Sequence, residues 1–302
     1  MEQPKDLHPG FAATSREMAK IASALERLGR TQAAAGSPAL SLQESAQWAG
    51  EWSDAGVEIN SGVSGMCAMA ADHIRSFAIL GKTERSILGV ATQARASLAA
   101  MAQIDWIYTQ GIEPAERVRR WANRRLVGSA EMRNLLLTAS EPVRTKELQN
   151  QQEFEECIRR SAALLLPAEN WTPSKNRGDW IQPARIGEAQ LGEMKLVDAL
   201  LHRGPDKSSD VGIMLYRFLS ASVHGQPHVT VPNLVGIAHD PNVPGLNSAG
   251  FALENSDYLT WAIALLLGFA NAAESLIGYL ALDAPWLQAL AQDTLALFRS
   301  QL

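Results

Sequence analysis

Over residues 84–110 the apolar side chains of Ile87, Val90, Ala94, Leu98, Met101, Ile104 and Ile107 recur every three or four positions, and Gly111 follows. That spacing lays an apolar stripe along one side of a helix and ends it at a glycine. A stripe of this length has to be covered by other elements, and most of the chain repeats the same period. Met18, Ile21, Ala22, Leu25 and Leu28 mark a helix within 14–35, stopped by Gly36-Ser37-Pro38. A poorer segment over 41–58 carries Trp48 and Trp52. Over 62–80, Met66, Met69, Ile74 and Phe77 alternate with Gly65, Ala68, Ala70 and Ala71, small residues that let a neighbouring helix approach closely. Pro114 suits the first turn of a helix running to about residue 126, and separate helices are expected over 130–140 and 143–166. The same reading places helices at 186–202, 210–224, 255–282 and 283–302. The expected fold is an all-α bundle of about nine or ten helices.

Two stretches break the period. Residues 167–183 hold three prolines, Trp171, Trp180 and Gly178. They read as a loop or crossover, 167–185, between an N-terminal bundle (1–166) and a C-terminal helical region (186–302), and the two can pack as one domain. Residues 228–249 set Val229, Val231, Leu234, Val235 and Ile237 among Pro and Asn, and predict an irregular loop with a short β-ribbon.

With 46% hydrophobic and 20% charged residues, wholesale disorder is excluded. A net charge of −5 argues against a protein that coats nucleic acid non-specifically. Cys67 and Cys157 sit on separate helical segments and read as reduced core residues. The start of the chain lacks a basic-then-apolar secretory pattern, and the apolar run 261–270 is about half the ~20 residues of a membrane span. The chain is therefore expected to be cytoplasmic, with no membrane partner. There is no phosphate-binding Gly-Lys-Ser/Thr loop, no Gly-x-Gly-x-x-Gly and no His-Glu-x-x-His. Gly62-Val63-Ser64-Gly65 falls one residue short of a nucleophile elbow. No cofactor is expected.

The segment from Arg217 to His224 carries the one constellation with a chemistry. Seven helical residues turn about 700°, some 20° short of two turns, and rise about 10.5 Å. Arg217 and His224 therefore project from one face and can converge on one phosphate, with Ser220 as a polar neighbour. Histidine moves protons near neutral pH, as needed at a ribose 2′-hydroxyl or a leaving oxygen, and arginine holds phosphoryl oxygens as charge builds. An Arg followed at this spacing by a His late in a helix of an all-α bundle resembles the HEPN superfamily, over roughly residues 186–302. That resemblance implies a metal-independent endoribonuclease of toxin or defence type, acting as a homodimer on RNA. Arg217 would be the phosphate clamp and His224 the general acid or base. Phe218 departs from the polar residue that active members often carry after the Arg. More broadly, the Tyr216-Arg217-x-Leu219-Ser220 and His224-Gly225 segment is similar to that of uncharacterised bacterial all-α proteins.

The competing expectation is a non-enzymatic helical module that binds a protein or a small ligand. In it His224 merely complements the helix dipole and Arg217 pairs with Asp210. His224, His228 and His239, with His202 in reserve, raise a metal reading. Pro227 interrupts the helical spacing between the first two, so no metal is expected.

Arg117, Arg119, Arg120, Arg124 and Arg125 put five arginines in nine residues around Trp121. Positions 117, 120, 121 and 124 share a helix face, a candidate strip for RNA phosphates. The alternative is a solvated face paired with Glu113 and Glu116. Residues 75–160 carry 14 basic against 10 acidic residues, while 208–302 carry 2 against 7. The Arg217–His224 helix thus lies in an acidic half, and basic contacts to RNA must come from elsewhere in the chain or from a partner. Trp171 and Trp180, near Lys175, Arg177 and Arg185, read either as a lid or as anchors for the loop.

Overall fold

The computed structural model describes residues 9–44, 52–82, 87–166, 170–177, 180–203, 210–224, 226, 234–239, 247–251 and 254–301. Its first six helices are α1 (Pro9–Gly29), α2 (Pro38–Glu44), α3 (Ala55–Gly81), α4 (Ile87–Tyr108), α5 (Pro114–Leu136) and α6 (Val143–Leu165). A β-hairpin built from β1 (Trp171–Thr172), β2 (Lys175–Arg177), β3 (Trp180–Gln182) and β4 (Arg185–Ile186) follows. Then come α7 (Glu193–Leu201), α8 (Val211–Val223), strands β5 (Leu234–His239) and β6 (Asn247–Phe251), α9 (Asn255–Leu280) and α10 (Pro285–Arg299). The expected all-α bundle is what the chain forms: ten helices among the described residues, with only short antiparallel strand pairs.

The stripe on α4 is the centre of the packing. Val90, Ala94, Met101, Ile104 and Ile107 are fully buried, and α3, α9, α7 and α8 all pack on this helix. Burying each large side chain there contributes about 1.5–3 kcal/mol. α1 packs across α3 and α9, and one apolar cluster runs from Phe11 to Phe298. Tyr258 shows how the ends of the chain meet. Its ring stacks between Phe11 and Phe77 at 5.0 and 4.7 Å, and its hydroxyl lies 2.9 Å from Ser15 Oγ. α9 is long and apolar enough to cross a membrane, but 61% of its most apolar stretch is buried among the other helices, as in a core helix.

Several boundaries differ from the expected ones. α1 begins at Pro9, five residues before the expected start of that helix at residue 14, because Phe11, Thr14 and Ser15 are buried against the core. α3 starts two turns earlier than expected, at Ala55. Trp48 lies outside the described residues. The helices expected over 114–126 and 130–140 are one helix, α5, which passes through Gly128 without interruption. On α3 the close approach comes at Gly62, where a Cβ would sit 2.2 Å from the Trp121 ring, and not at Gly65, which faces open space.

The expected crossover is the hairpin. β1 pairs with β4 and β2 with β3, one antiparallel ladder interrupted where Pro173 and Pro183 lack an N–H to donate. Two asparagines, eleven residues or about three turns apart on α5, hold it down. Asn123 accepts from Ile186 N at 2.8 Å and donates to the Ile186 and Glu188 carbonyls at 3.0 and 3.1 Å. Asn134 accepts from Ile181 N at 2.7 Å and donates to Ile181 O at 3.3 Å. Each amide copies a strand edge, so Ile181 and Ile186 are buried against α5. In an Asn123→Ala, Asn134→Ala variant, hydrogen exchange at the Ile181 and Ile186 amides should rise at least tenfold while α4 amides keep their protection. Unchanged exchange at both would contradict this docking. The second ribbon, expected near 228–249, is β5 paired antiparallel with β6, with a register shift between Val235 and Ile237.

Candidate functional site

α8 is an amphipathic helix whose inner side is set by Gly212, Tyr216, Leu219 and Ser222. Tyr216 fixes its rotation. The phenol donates to Glu193 at 2.6 Å and accepts from Arg95 at 2.9 Å, while the Arg95 guanidinium lies 5.1 Å from the ring centre. Burial, then the bond to Glu193, push the Tyr216 phenol above its usual range, so it stays a neutral donor. At the start of α8, Asp198 Oδ1 accepts from Ile213 N at 3.3 Å. That carboxylate also meets Nδ1 of His202, four residues along the chain, at 2.9 Å.

With the inner side fixed, Arg217 and His224 are exposed and Ser220 is half-buried. His224 ends the helix, its backbone N–H donating to Ser220 O at 3.1 Å. Among the described residues no hydrogen bond or ion pair involves either the Arg217 guanidinium or the His224 imidazole, and the expected Arg217–Asp210 pair is not formed. Val211, Met214 and Phe218 are exposed on the same helix, and Phe218 leans toward Trp261 with ring centres 6.3 Å apart. Nothing described competes for the cation or the imidazole.

The arginine strip on α5 is not a solvent-facing strip. Arg117 is 3% exposed and donates to the Ile107 and Thr109 carbonyls at 2.5 and 3.2 Å. Its guanidinium lies 4.5 Å from the Tyr279 ring centre. Arg120 donates to Trp106 O and lies over the Trp106 ring. Two of the arginines therefore serve the carbonyl end of α4, where partial negative charge collects. Trp121 is buried and donates to Glu58 at 3.0 Å, a carboxylate it shares with Trp52 and Arg125. Arg119 and Arg120 both pair with Glu116, as the spacing predicts. Burial tends to raise that carboxyl, and these two hydrogen bonds outweigh it and hold it below its usual range. Burial takes Arg117 and Trp121 out of reach of nucleic acid. Arg124, the fourth of the expected residues, lines a cavity, its guanidinium 5.5 Å from the Trp121 ring centre.

One buried polar cluster has no local signature. Asp105 on α4 accepts from Ser275 Oγ on α9 at 2.7 Å and from Arg203, which also reaches Glu274 at 3.1 Å. Burial raises the Asp105 carboxyl, with Ser275 and Arg203 drawing it partly back. The cluster ties α4 and α9 to the segment that follows α7. Cys67 is buried and its thiol is pushed up to about 12 by that burial, so it is an inert core residue. No group of three potential metal ligands occurs among the described residues, His228 lies outside them, and nothing is described of the His239 side chain. Comparisons with protein-family models, curated proteins and solved structures give no match to the chain.

Proposed function

We propose that the chain is a HEPN-like, metal-independent endoribonuclease of toxin or defence type that acts in the cytoplasm as a homodimer. The observation that carries this reading is the exposure of Arg217 and His224 on α8 with no described partner for either side chain. Arginines elsewhere, such as Arg117 and Arg119, are spent on carbonyls and carboxylates.

In the reaction the ribose 2′-hydroxyl gives its proton to His224, its oxygen attacks phosphorus, and the P–O5′ bond breaks. The departing O5′ takes a proton from the partner subunit's His224, leaving a 2′,3′-cyclic phosphate and a 5′-hydroxyl. One imidazole cannot be acid and base in the same step, which is why a second copy is part of the proposal. Arg217 binds the phosphoryl oxygens as charge builds on them, and the Ser220 hydroxyl adds a donor beside it. Val211, Met214 and Phe218 supply exposed apolar surface around the pair for that second copy.

The test is incubation of a mixed single-stranded and structured RNA pool in EDTA. The wild-type protein should cleave it, and Arg217→Ala should lose cleavage while keeping its circular dichroism and melting temperature. A wild-type protein that leaves the pool intact would transfer the same exposed face to the competing reading, a helical module that binds a protein or small ligand.

A further inference from the structure

Two cavities adjoin at Val127 and Gln190: a smaller one between the hairpin, α5 and the segment entering α7, and a larger one walled by α3, α4, α5, α6 and that same segment. The smaller, of about 380 Å³, is lined by Lys175, Arg177 and Arg185, and no described carboxylate lines it. The larger, of about 870 Å³, adds Arg124 and Arg125, the latter paired with Glu58, together with Glu131 and Glu193. Glu193 is already engaged by Arg95 and Tyr216. None of the other four cations has a carboxylate partner among the described residues. Burial lowers the Arg124 guanidinium, as expected of a cation half-sunk in the wall without a counter-charge.

Four cations without a described carboxylate partner outnumber the one carboxylate without a described cation partner, Glu131, in the walls of this two-part trough, and the net field favours an anion. The hairpin register adds an aromatic surface. Lys175 opposes Gln182 and Arg177 opposes Trp180, and directly opposed residues share a sheet face. The two cations and the Trp180 indole, 55% exposed, therefore lie opposite the buried Ile181 side. Cations at intervals beside an open indole match a nucleic-acid strand with phosphates to neutralise and a base free to stack. In a duplex the base faces are already stacked on each other, so the indole selects an unpaired strand. One hydrogen bond links the trough wall to α8: Glu193 accepts at 2.6 Å from the hydroxyl of Tyr216, the residue before Arg217.

We infer that this trough is the binding track for single-stranded RNA, with Lys175, Arg177, Arg185 and Arg124 on the phosphates and Trp180 beneath a base. The inference rests on the ribonuclease reading for its choice of RNA. It supplies the basic contacts that the acidic surroundings of α8 lack.

The test uses a fluorescein-labelled, twelve-nucleotide 2′-O-methyl RNA, which binds but lacks the hydroxyl needed for cleavage, so binding is read independently of catalysis. Anisotropy titrations between 50 and 200 mM salt should show Lys175→Glu, Arg177→Glu, Arg185→Glu weakening binding at least tenfold. The salt slope should fall by about two. Trp180→Ala should weaken binding about fivefold or more, in the range of one lost base stack. Reversing three exposed charges elsewhere (Arg16, Arg30 and Arg299) should leave affinity within about twofold. The inference is overturned if the hairpin triple variant binds like wild type, if the control variant falls equally, or if the wild-type protein does not bind. A duplex of the same sequence that binds as tightly as the single strand would overturn it too. Binding that follows this pattern without any cleavage of ordinary RNA would retire the nuclease reading and leave the track in place.

Discussion

Arg117→Ala should cost about 3–5 kcal/mol of folding stability, the largest loss expected from any single surface-type residue of this chain. The position looks like a solvated helix residue, yet it is a cation 3% exposed with no carboxylate partner among the described residues. Its charge is balanced by the carbonyl end of α4, through Ile107 O and Thr109 O, and by the face of Tyr279. Truncation leaves the buried Ile107 carbonyl and the half-buried Thr109 carbonyl without this donor, and a cavity the size of the side chain. Each unmet group costs about 1–3 kcal/mol before the cavity is counted. Arg117→Met fills most of the space without restoring the donors, so its loss should be smaller, about 2–4 kcal/mol. Arg117→Lys keeps the charge but cannot reach both carbonyls with one planar fork. Urea denaturation of the three variants checks the order. A loss under about 0.5 kcal/mol for Arg117→Ala would mean that the guanidinium is not buried as described.

The second large effect is on catalysis. His224→Ala should lower cleavage by about 10²–10⁴, the usual contribution of a positioned acid or base, with stability nearly unchanged because the side chain is exposed. If His224 of one copy is base and that of the other is acid, the rate needs one neutral and one protonated imidazole. Its pH profile is then a bell, falling on the acid side as the base is protonated and on the alkaline side as the acid loses its proton. A profile that rises steadily with pH would point instead to hydroxide or a metal-bound water.

These two outcomes were unequally visible in the sequence. The stripe on α4, the ends of α8 and the short ribbon of β5 and β6 follow from spacing, prolines and glycines, which act locally. The pairing of Arg119 and Arg120 with Glu116 follows too, since residues three and four apart on a helix meet. What spacing cannot convey is which face of α5 turns inward. Arg117 and Trp121 share a face with Arg124, and that face meets α4 and Gly62 rather than solvent. The hairpin was hidden for a related reason. Its strands are two or three residues long and owe their register to Asn123 and Asn134, forty or more residues earlier. The same distance in sequence separates Lys175, Arg177 and Arg185 from Arg124, so the trough exists only once α5 and the hairpin are docked. The Arg217–His224 pair was legible as a spacing, and its exposure was not, because that depends on Tyr216 being held by Arg95 and Glu193.

The most direct test of the functional account is end-group analysis of RNA incubated with the protein in EDTA, with His224→Ala alongside. Wild-type protein should leave 2′,3′-cyclic phosphate and 5′-hydroxyl ends, none should form at a 2′-deoxy position, and the folded variant should produce almost none. Cleavage that yields 5′-phosphate ends, or that persists in His224→Ala, would contradict the account.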